Sequence, residues 1–225
     1  MPDPPSADRT RARNRALFEG AFGEIYGLYI ERERLSRVIA ALVWGANIRP
    51  FYASMGVIGE VPKGGVIVDV PCGAGVAFRG LRADQDVRYI AIDLSRRMLE
   101  RARRRATRLG LGEIELVEGD AQSIPVDAAS VELFLSYWGL HCFPNPAQAV
   151  AEAARCLRPG GRLVGCTIIR GRSLRHRLLV RPGRGGFGPG GTAEDLRRWL
   201  VDARLDNMTV ASSGLFAYFE AVKSR

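Results

Sequence analysis

Lysine is almost absent from this 225-residue chain: only Lys63 and Lys223 occur, and arginine supplies the rest of the 33 basic residues. Histidine is equally scarce, with His141 and His176 alone. Those two histidines and the four scattered cysteines (Cys72, Cys142, Cys156 and Cys166, with no C-x-x-C pair) offer no zinc ligand set, so no metal site is expected. The same cysteines sit in apolar or glycine-rich settings and do not make a disulfide framework for a chain of this size. Long apolar runs are missing too. The longest, Val38 to Ile48, is too short to cross a bilayer and reads as a buried helix. No apolar signal segment follows Met1-Pro2-Asp3-Pro4-Pro5, so a cytoplasmic location is expected.

What is present fits one α/β domain with a short cap. Hydrophobic residues make up 47% of the chain, enough for a packed core. The formal charge of +9 could serve an anionic partner, but the arginines are spread along most of the sequence, which favours a compositional origin. Residues 1–15 are rich in Pro, Asp and Arg and read as a disordered tail. Residues 16–60 read as a helical cap in which Leu35, Val38, Ile39, Leu42 and Val43 share one helix face.

From residue 61 the pattern becomes strand–helix alternation. Val66 to Val70 is a β-branched run that ends in a glycine-rich turn, with a helix expected over about 75–82. A second strand, Arg88 to Ile92, ends at Asp93; Ser95 caps the next helix and Gly110 closes it. Strands follow at Ile114–Val117, Val131–Ser136 and Arg162–Ile169, and Asn145-Pro146 starts the helix between the last two. Residues 170–191 read as an Arg/Gly-rich loop with a short helix near 173–180. Thr192 caps a final helix, and a hairpin closes the chain at about 207–212 and 215–223. The expected fold is Rossmann-like: a seven-stranded, mostly parallel sheet with helices on both faces and a short N-terminal helical cap. Ligands of such sheets bind beyond the carboxyl ends of the strands.

The chemistry-bearing residues stand at those ends. Gly73 and Gly75, after strand one, let the backbone turn tightly and approach a ligand. Asp93, roughly 20 residues further at the end of strand two, can accept hydrogen bonds from ribose hydroxyls. Both features suit a nicotinamide dinucleotide as well. That fingerprint, however, needs a third glycine three residues after the second, where this chain has Phe78.

The ordered set VIVDVPCGAG (ending at Gly75), YIAIDLS (89–95), VEGDAQSIP (117–125), SYWGLHCFPNP (136–146) and CLRPGGRL (156–163) resembles the class I S-adenosylmethionine-dependent methyltransferases. The likeness is greatest to the small-molecule group that includes the ubiquinone and menaquinone biosynthesis enzymes, and it covers about residues 64–170. The resemblance implies that residues 61–225 bind S-adenosylmethionine. Asp69, Cys72, Gly73 and Gly75 would meet the methionine part, Asp93 the ribose, and Leu94 and Met98 the adenine slot. Asp120 and the Ala121 backbone would read the adenine edge, and Ser136 would lie near the methionine amino group. Two positions depart from the family pattern: Pro71 replaces the first loop glycine and removes an N–H donor, and Glu132 stands where strand four usually has aspartate.

A sulfonium already carries a good leaving group, so the protein need only align a nucleophile and exclude water. The implied partner is a small-molecule methyl acceptor, with Tyr137, Trp138, Phe51 and Tyr52 as candidate pocket residues and His141 as candidate general base. Arg170, Arg172, Arg175, Arg177, Arg181 and Arg184 could bind an anionic acceptor or simply be solvated. Two alternatives stay open: a nucleic-acid methyltransferase, against which stands the lack of an Asn/Asp-Pro-Pro-Tyr/Phe run after strand four, and a non-catalytic binder of the cofactor. The sequence gives no oligomeric state.

Overall fold

The strands form where β-branched and aromatic residues alternate between two buried faces. In the adjacent strands β1 (Val66–Asp69), β2 (Arg88–Asp93) and β4 (Val131–Tyr137), Ile67, Tyr89 and Leu133 enter one core, while Val68, Ile90 and Phe134 enter the other. The structure, a computed structural model, describes residues 7–20, 23, 29–171 and 187–224. With β3 (Ile114–Glu118), β5 (Leu157–Ile168), β6 (Leu205–Ser213) and β7 (Phe216–Lys223) the sheet has seven strands in the order β3-β2-β1-β4-β5-β7-β6. The strands from β3 to β5 in that order are parallel, whereas β7 lies antiparallel between β5 and β6. The chain leaves β1 toward β2 and β3 and then crosses back to β4. The switch point therefore falls between β1 and β4, above Asp69 and Tyr137.

The helices begin where their capping residues predict. Ser95 accepts the Met98 N–H at the start of α4 (Arg96–Arg108), and Asn145 accepts the Gln148 N–H at the start of α5 (Pro146–Cys156). Thr192 and Asp195 cap α6 (Ala193–Asp202) reciprocally, each side chain accepting the other's backbone N–H. The helix expected over 75–82 is a 3-10 turn, Val76–Gly80. The Phe78 ring folds back so close that a Cβ on Gly75 would stand 2.4 Å from it, so the turn requires glycine at its start.

The N-terminal third departs further from expectation. Residues 7–15, read as tail, belong to helix α1 (Ala7–Glu19). Its low apolar content hid it, because polar contacts anchor it across the chain. The Arg11 Nε donates to Asp120 Oδ2 at 2.6 Å, Asn14 Nδ2 to the Cys142 carbonyl at 2.7 Å, and Arg13 to the Phe187 carbonyl at 2.8 Å. Helix α2 (Glu33–Trp44) has the expected periodicity but the opposite facing. It buries Ser36 and Ala40 and leaves Leu35, Val38, Leu42 and Val43 exposed. Helix α3 (Arg49–Ser54) and a 3-10 turn, Met55–Glu60, complete the cap and bury Phe51, Met55 and Ile58. The expected short helix near 173–180 lies outside the described residues.

Candidate functional site

A cavity opens at the carboxyl ends of β1, β2 and β4, between them and α1. Asp69, Cys72 and Gly73 form its floor. Asp93, Leu94 and Met98 stand on one side, Ala121 beyond them, and Tyr137 and Trp138 on the other. The structure thus gathers most of the sequence-derived site residues around one cavity.

Local geometry explains why those residue types stand there. Gly73 and Gly75 have φ of +52° and +75°, the left-handed region open to glycine, and they swing the chain away from β1. Val70-Pro71 is a cis peptide bond, and Pro71 lies on the cavity wall where it needs no donor. The Asp93 carboxylate is fixed by two backbone donors, Gly73 N–H on Oδ2 and Ser95 N–H on Oδ1, both at 2.9 Å. A carboxylate has about four lone-pair positions, so these two bonds do not use all of its accepting capacity. Burial pushes its pKa up to about 6, against the opposing pull of the Ser95 and Gly73 N–H groups. Asp69 is more deeply enclosed. Burial raises its pKa to about 8, the Tyr89 hydroxyl that donates to Oδ2 at 3.0 Å lowers it, and the nearby Asp93 charge raises it further. Two carboxyls in one apolar pocket make a site that favours a cation.

Other predicted residues are placed elsewhere. Gly75 shapes the turn without lining the cavity. Asp120 is tied to Arg11 and accepts the Gln122 N–H at 3.0 Å. Ser136 points to the opposite side of the sheet, into a small apolar space with Phe134, Leu140 and Phe219, because β4 alternates and Tyr137 takes the cavity side. Phe51 and Tyr52 stand behind the wall: Phe51 packs edge-on to Tyr137 and Trp138 at 5.2 and 5.3 Å, and the Tyr52 hydroxyl donates to the Ile30 carbonyl. His141 is also off the wall. It is buried against Phe187, its Nδ1 accepts the Ile168 N–H at 3.3 Å, and desolvation lowers its pKa to about 3. Thr167 Oγ1 stands 3.3 Å from the same Nδ1, and His141 does not line the cavity. Of the six loop arginines, Arg170 pairs with Asp195 at 3.6 Å; the other five lie outside the described residues.

Sequence reasoning missed the roof. Asn14, Arg15 and Phe18 of α1 and Ile30 line the cavity. The Arg15 Nε donates to the Leu94 carbonyl at 3.1 Å and its guanidinium meets Glu118 at 2.7 Å, so α1 is bound to the ends of β2 and β3. Two buried polar atoms on residues of this cavity have no partner: Asn14 Oδ1, an acceptor, and Trp138 Nε1, a donor. Trp138 also holds φ of +58°, a conformation that costs a bulky residue on the order of 1–3 kcal/mol. Its ring is wedged against Phe216 at 4.6 Å as well as Phe51, and its backbone N–H donates to the Cys166 carbonyl at 2.8 Å.

These residues suit S-adenosylmethionine. Asp93 offers a carboxylate to a diol and Asp69 a buried acid to an amine, and both line the cavity.

Residues 68–165 match the methyltransferase domain family. The chain is 34% identical over 100 residues to the ubiquinone/menaquinone biosynthesis C-methyltransferase of Methylobacterium nodulans, a match covering 44% of this chain and 40% of that protein. It is 33% identical over 99 residues to phthiotriol/phenolphthiotriol dimycocerosates methyltransferase 1 of Mycobacterium ulcerans, covering 44% and 35%. The matched stretch is thus less than half the length of these curated relatives. The fold is shared with phosphoethanolamine N-methyltransferase 2 of Haemonchus contortus in complex with S-adenosyl-L-methionine, at a TM-score of 0.73 and 13% identity, over 94% of this chain and 60% of that one. The motif order, the sheet and the strand-end carboxylates agree with that match, and residues 68–165 form a methyltransferase domain similar to those of the class I, S-adenosylmethionine-dependent enzymes.

Proposed function

We propose that this protein transfers a methyl group from S-adenosylmethionine to a small, largely apolar acceptor that enters on the Tyr137–Trp138 side of the cavity. One observation carries the reading: Asp69 and Asp93 converge on a left-handed glycine turn inside a single cavity whose far wall is aromatic. When bound, the cofactor supplies an electrophilic methyl on a sulfonium, which leaves as a thioether without a protein nucleophile. Asp93 holds the ribose end and Asp69 the amine end. Phe18 and Phe143 join Tyr137 and Trp138 in walling off water. Trp138 Nε1–H, unpartnered in the apolar wall, orients an acceptor oxygen.

Among the described residues that line the cavity, only Asp93 is both basic and largely ionised at neutral pH, and it is assigned to the ribose; Asp69, with a pKa of about 8, is mostly protonated there. The Tyr137 hydroxyl is bonded to Ser54 at 3.0 Å and burial raises its pKa; burial raises that of Cys72 as well. The acceptor therefore brings its own nucleophile, as an acidic phenol or an enolisable carbon does. On this reading His141→Gln keeps kcat/KM within about tenfold and leaves the pH profile unshifted, whereas loss of a general base costs roughly 10²–10⁴. Turnover in labelled-cofactor assays across pH distinguishes the two.

Small molecules are favoured over nucleic acid because many arginines are neutralised in place, including Arg88 by Glu115, Arg155 by Glu152, Arg158 by Glu132 and Arg162 by Glu220. The four cysteines are unpaired and buried, in keeping with a reducing cytoplasm. Among the described residues no helix is long and apolar enough to cross a membrane.

The test has two steps. Calorimetry is expected to show micromolar binding of S-adenosylmethionine and of S-adenosylhomocysteine. A screen of phenols, quinols, fatty acids and amines with methyl-labelled cofactor is expected to label a phenol or quinol. Absence of binding to both cofactor forms would overturn the reading. Binding without turnover of any acceptor would leave a cofactor-binding protein instead of an enzyme.

A further inference from the structure

Helix α2 presents its apolar side to solvent. Leu35, Val38 and Leu42 repeat at helical spacing and are 43%, 55% and 72% exposed, while Ser36 and Ala40 face the protein. An exposed stripe of this kind is uncommon on a monomeric surface and marks a place of contact.

The charges around the stripe identify the contact. Arg34, Arg37 and Arg49 border an open depression together with Val38 and Ala41. The nearby carboxylates are committed elsewhere: Glu31 pairs with Arg105 at 2.7 Å, and Glu33 with Arg79 at 3.6 Å. Among the described residues no carboxylate faces the three guanidiniums, unlike the paired arginines on the β2, α5 and β5 surfaces. A short helix with an apolar stripe and arginines along its side matches the headgroup boundary of an anionic bilayer. A second copy of this chain is a poor match, because a two-fold contact would set the three unneutralised arginines against their own copies.

The patch also stands at the working end of the sheet. Leu215 N–H donates to the Trp44 carbonyl at the end of α2, the Trp44 and Phe216 rings are 6.0 Å apart, and Phe216 packs at 4.6 Å on Trp138, the cavity residue. A surface that seats α2 thereby brings the acceptor side of the cavity close to that surface.

We propose that α2 docks the protein peripherally on anionic lipid bilayers, with Leu35, Val38 and Leu42 at the acyl boundary and Arg34, Arg37 and Arg49 on lipid phosphates. This does not rest on the methyl-transfer reading, since the test reads lipid binding alone.

The full chain is sedimented with vesicles of phosphatidylcholine, with and without phosphatidylglycerol, at low and high salt. Pelleting is expected with the phosphatidylglycerol vesicles, and salt should weaken it. Each single substitution Arg34→Ala, Arg37→Ala or Arg49→Ala should lower partitioning about fivefold, since a basic residue near such a surface contributes about 1 kcal/mol. Val38→Glu should lower it roughly tenfold or more through lost apolar burial. Val201→Glu, at an equally exposed apolar site on α6, should leave it unchanged. Thermal melts and cofactor titration should be unaltered by all of these, because the side chains are at the surface. Three results would overturn the proposal: no pelleting of the unmodified chain with anionic vesicles, pelleting that survives both the arginine changes and Val38→Glu, or a dimer in sedimentation velocity that Val38→Glu splits while vesicles bind neither form.

Discussion

Asp93→Ala is expected to weaken S-adenosylmethionine binding roughly 10- to 150-fold, equivalent to about 1.5–3 kcal/mol, the scale of hydrogen bonds to a charged group. The carboxylate is held by the Gly73 and Ser95 N–H groups, so its orientation is fixed before any ligand arrives. Its pKa of about 6 keeps it largely ionised at neutral pH. Removing it subtracts the ligand's hydrogen bonds and also leaves two inward-facing N–H groups without their acceptor, one of them on the glycine turn of the cavity floor. Asp93→Asn retains one acceptor and should fall between the wild type and the alanine variant.

S-adenosylhomocysteine, which keeps the ribose but lacks the sulfonium charge, separates two roles. If Asp93 acts through the diol, both ligands lose affinity alike. If it acts through charge, only the sulfonium ligand does. Calorimetry with both ligands, and a melting curve to show that the variant is folded, reads the difference. An unchanged dissociation constant for a folded Asp93→Ala protein would defeat the ribose assignment.

How much of this was legible in the sequence follows from which forces are local. Strand ends and helix starts were, because the β-branched run before Asp69, the Asn145-Pro146 start and the Thr192 cap act within a few residues. Asp69, Gly73 and Asp93 followed from those ends and from family likeness. The facing of the Ser136 side chain was not legible, because it depends on position in a period of two. The register pairs Asp69 with Leu135, so Leu135 and Tyr137 share the Asp69 face and Ser136 cannot, but that register is not written in either strand alone. Helix α2 shows the complementary failure: periodicity reveals that an apolar face exists and is silent on whether it meets a core. Helix α1 was hidden for a third reason. It is held by hydrogen bonds from Arg11, Asn14 and Arg15 to groups 79 to 128 residues away, and no local pattern announces those.

Asp69 carries the second large effect, on pH dependence. Its folded-state pKa is about 8, above the ordinary 3.8, chiefly because burial disfavours the ionised form. A raised carboxyl pKa means that the folded state binds the proton more tightly than the unfolded chain. The stabilising contribution is therefore complete below about pH 4 and is lost progressively as pH rises toward 8. Asp93 adds a smaller loss in the same direction, finished near pH 6. Asp69→Asn stays neutral at every pH and can still accept the Tyr89 hydroxyl, so its melting temperature relative to the wild type should climb from pH 5 to pH 8, on the order of 5 °C or more at the upper end. Ligand binding runs the opposite way. A cationic amine beside Asp69 favours the ionised carboxyl, so binding releases a proton and affinity should rise about tenfold per unit between pH 6 and pH 8. Calorimetry in two buffers of different ionisation enthalpy measures that proton directly, and in Asp69→Asn it should vanish together with the pH slope. An affinity that is flat from pH 6 to pH 8, with no proton released, would mean that Asp69 stays protonated when the cofactor binds and serves only as the hydrogen-bond acceptor of Tyr89.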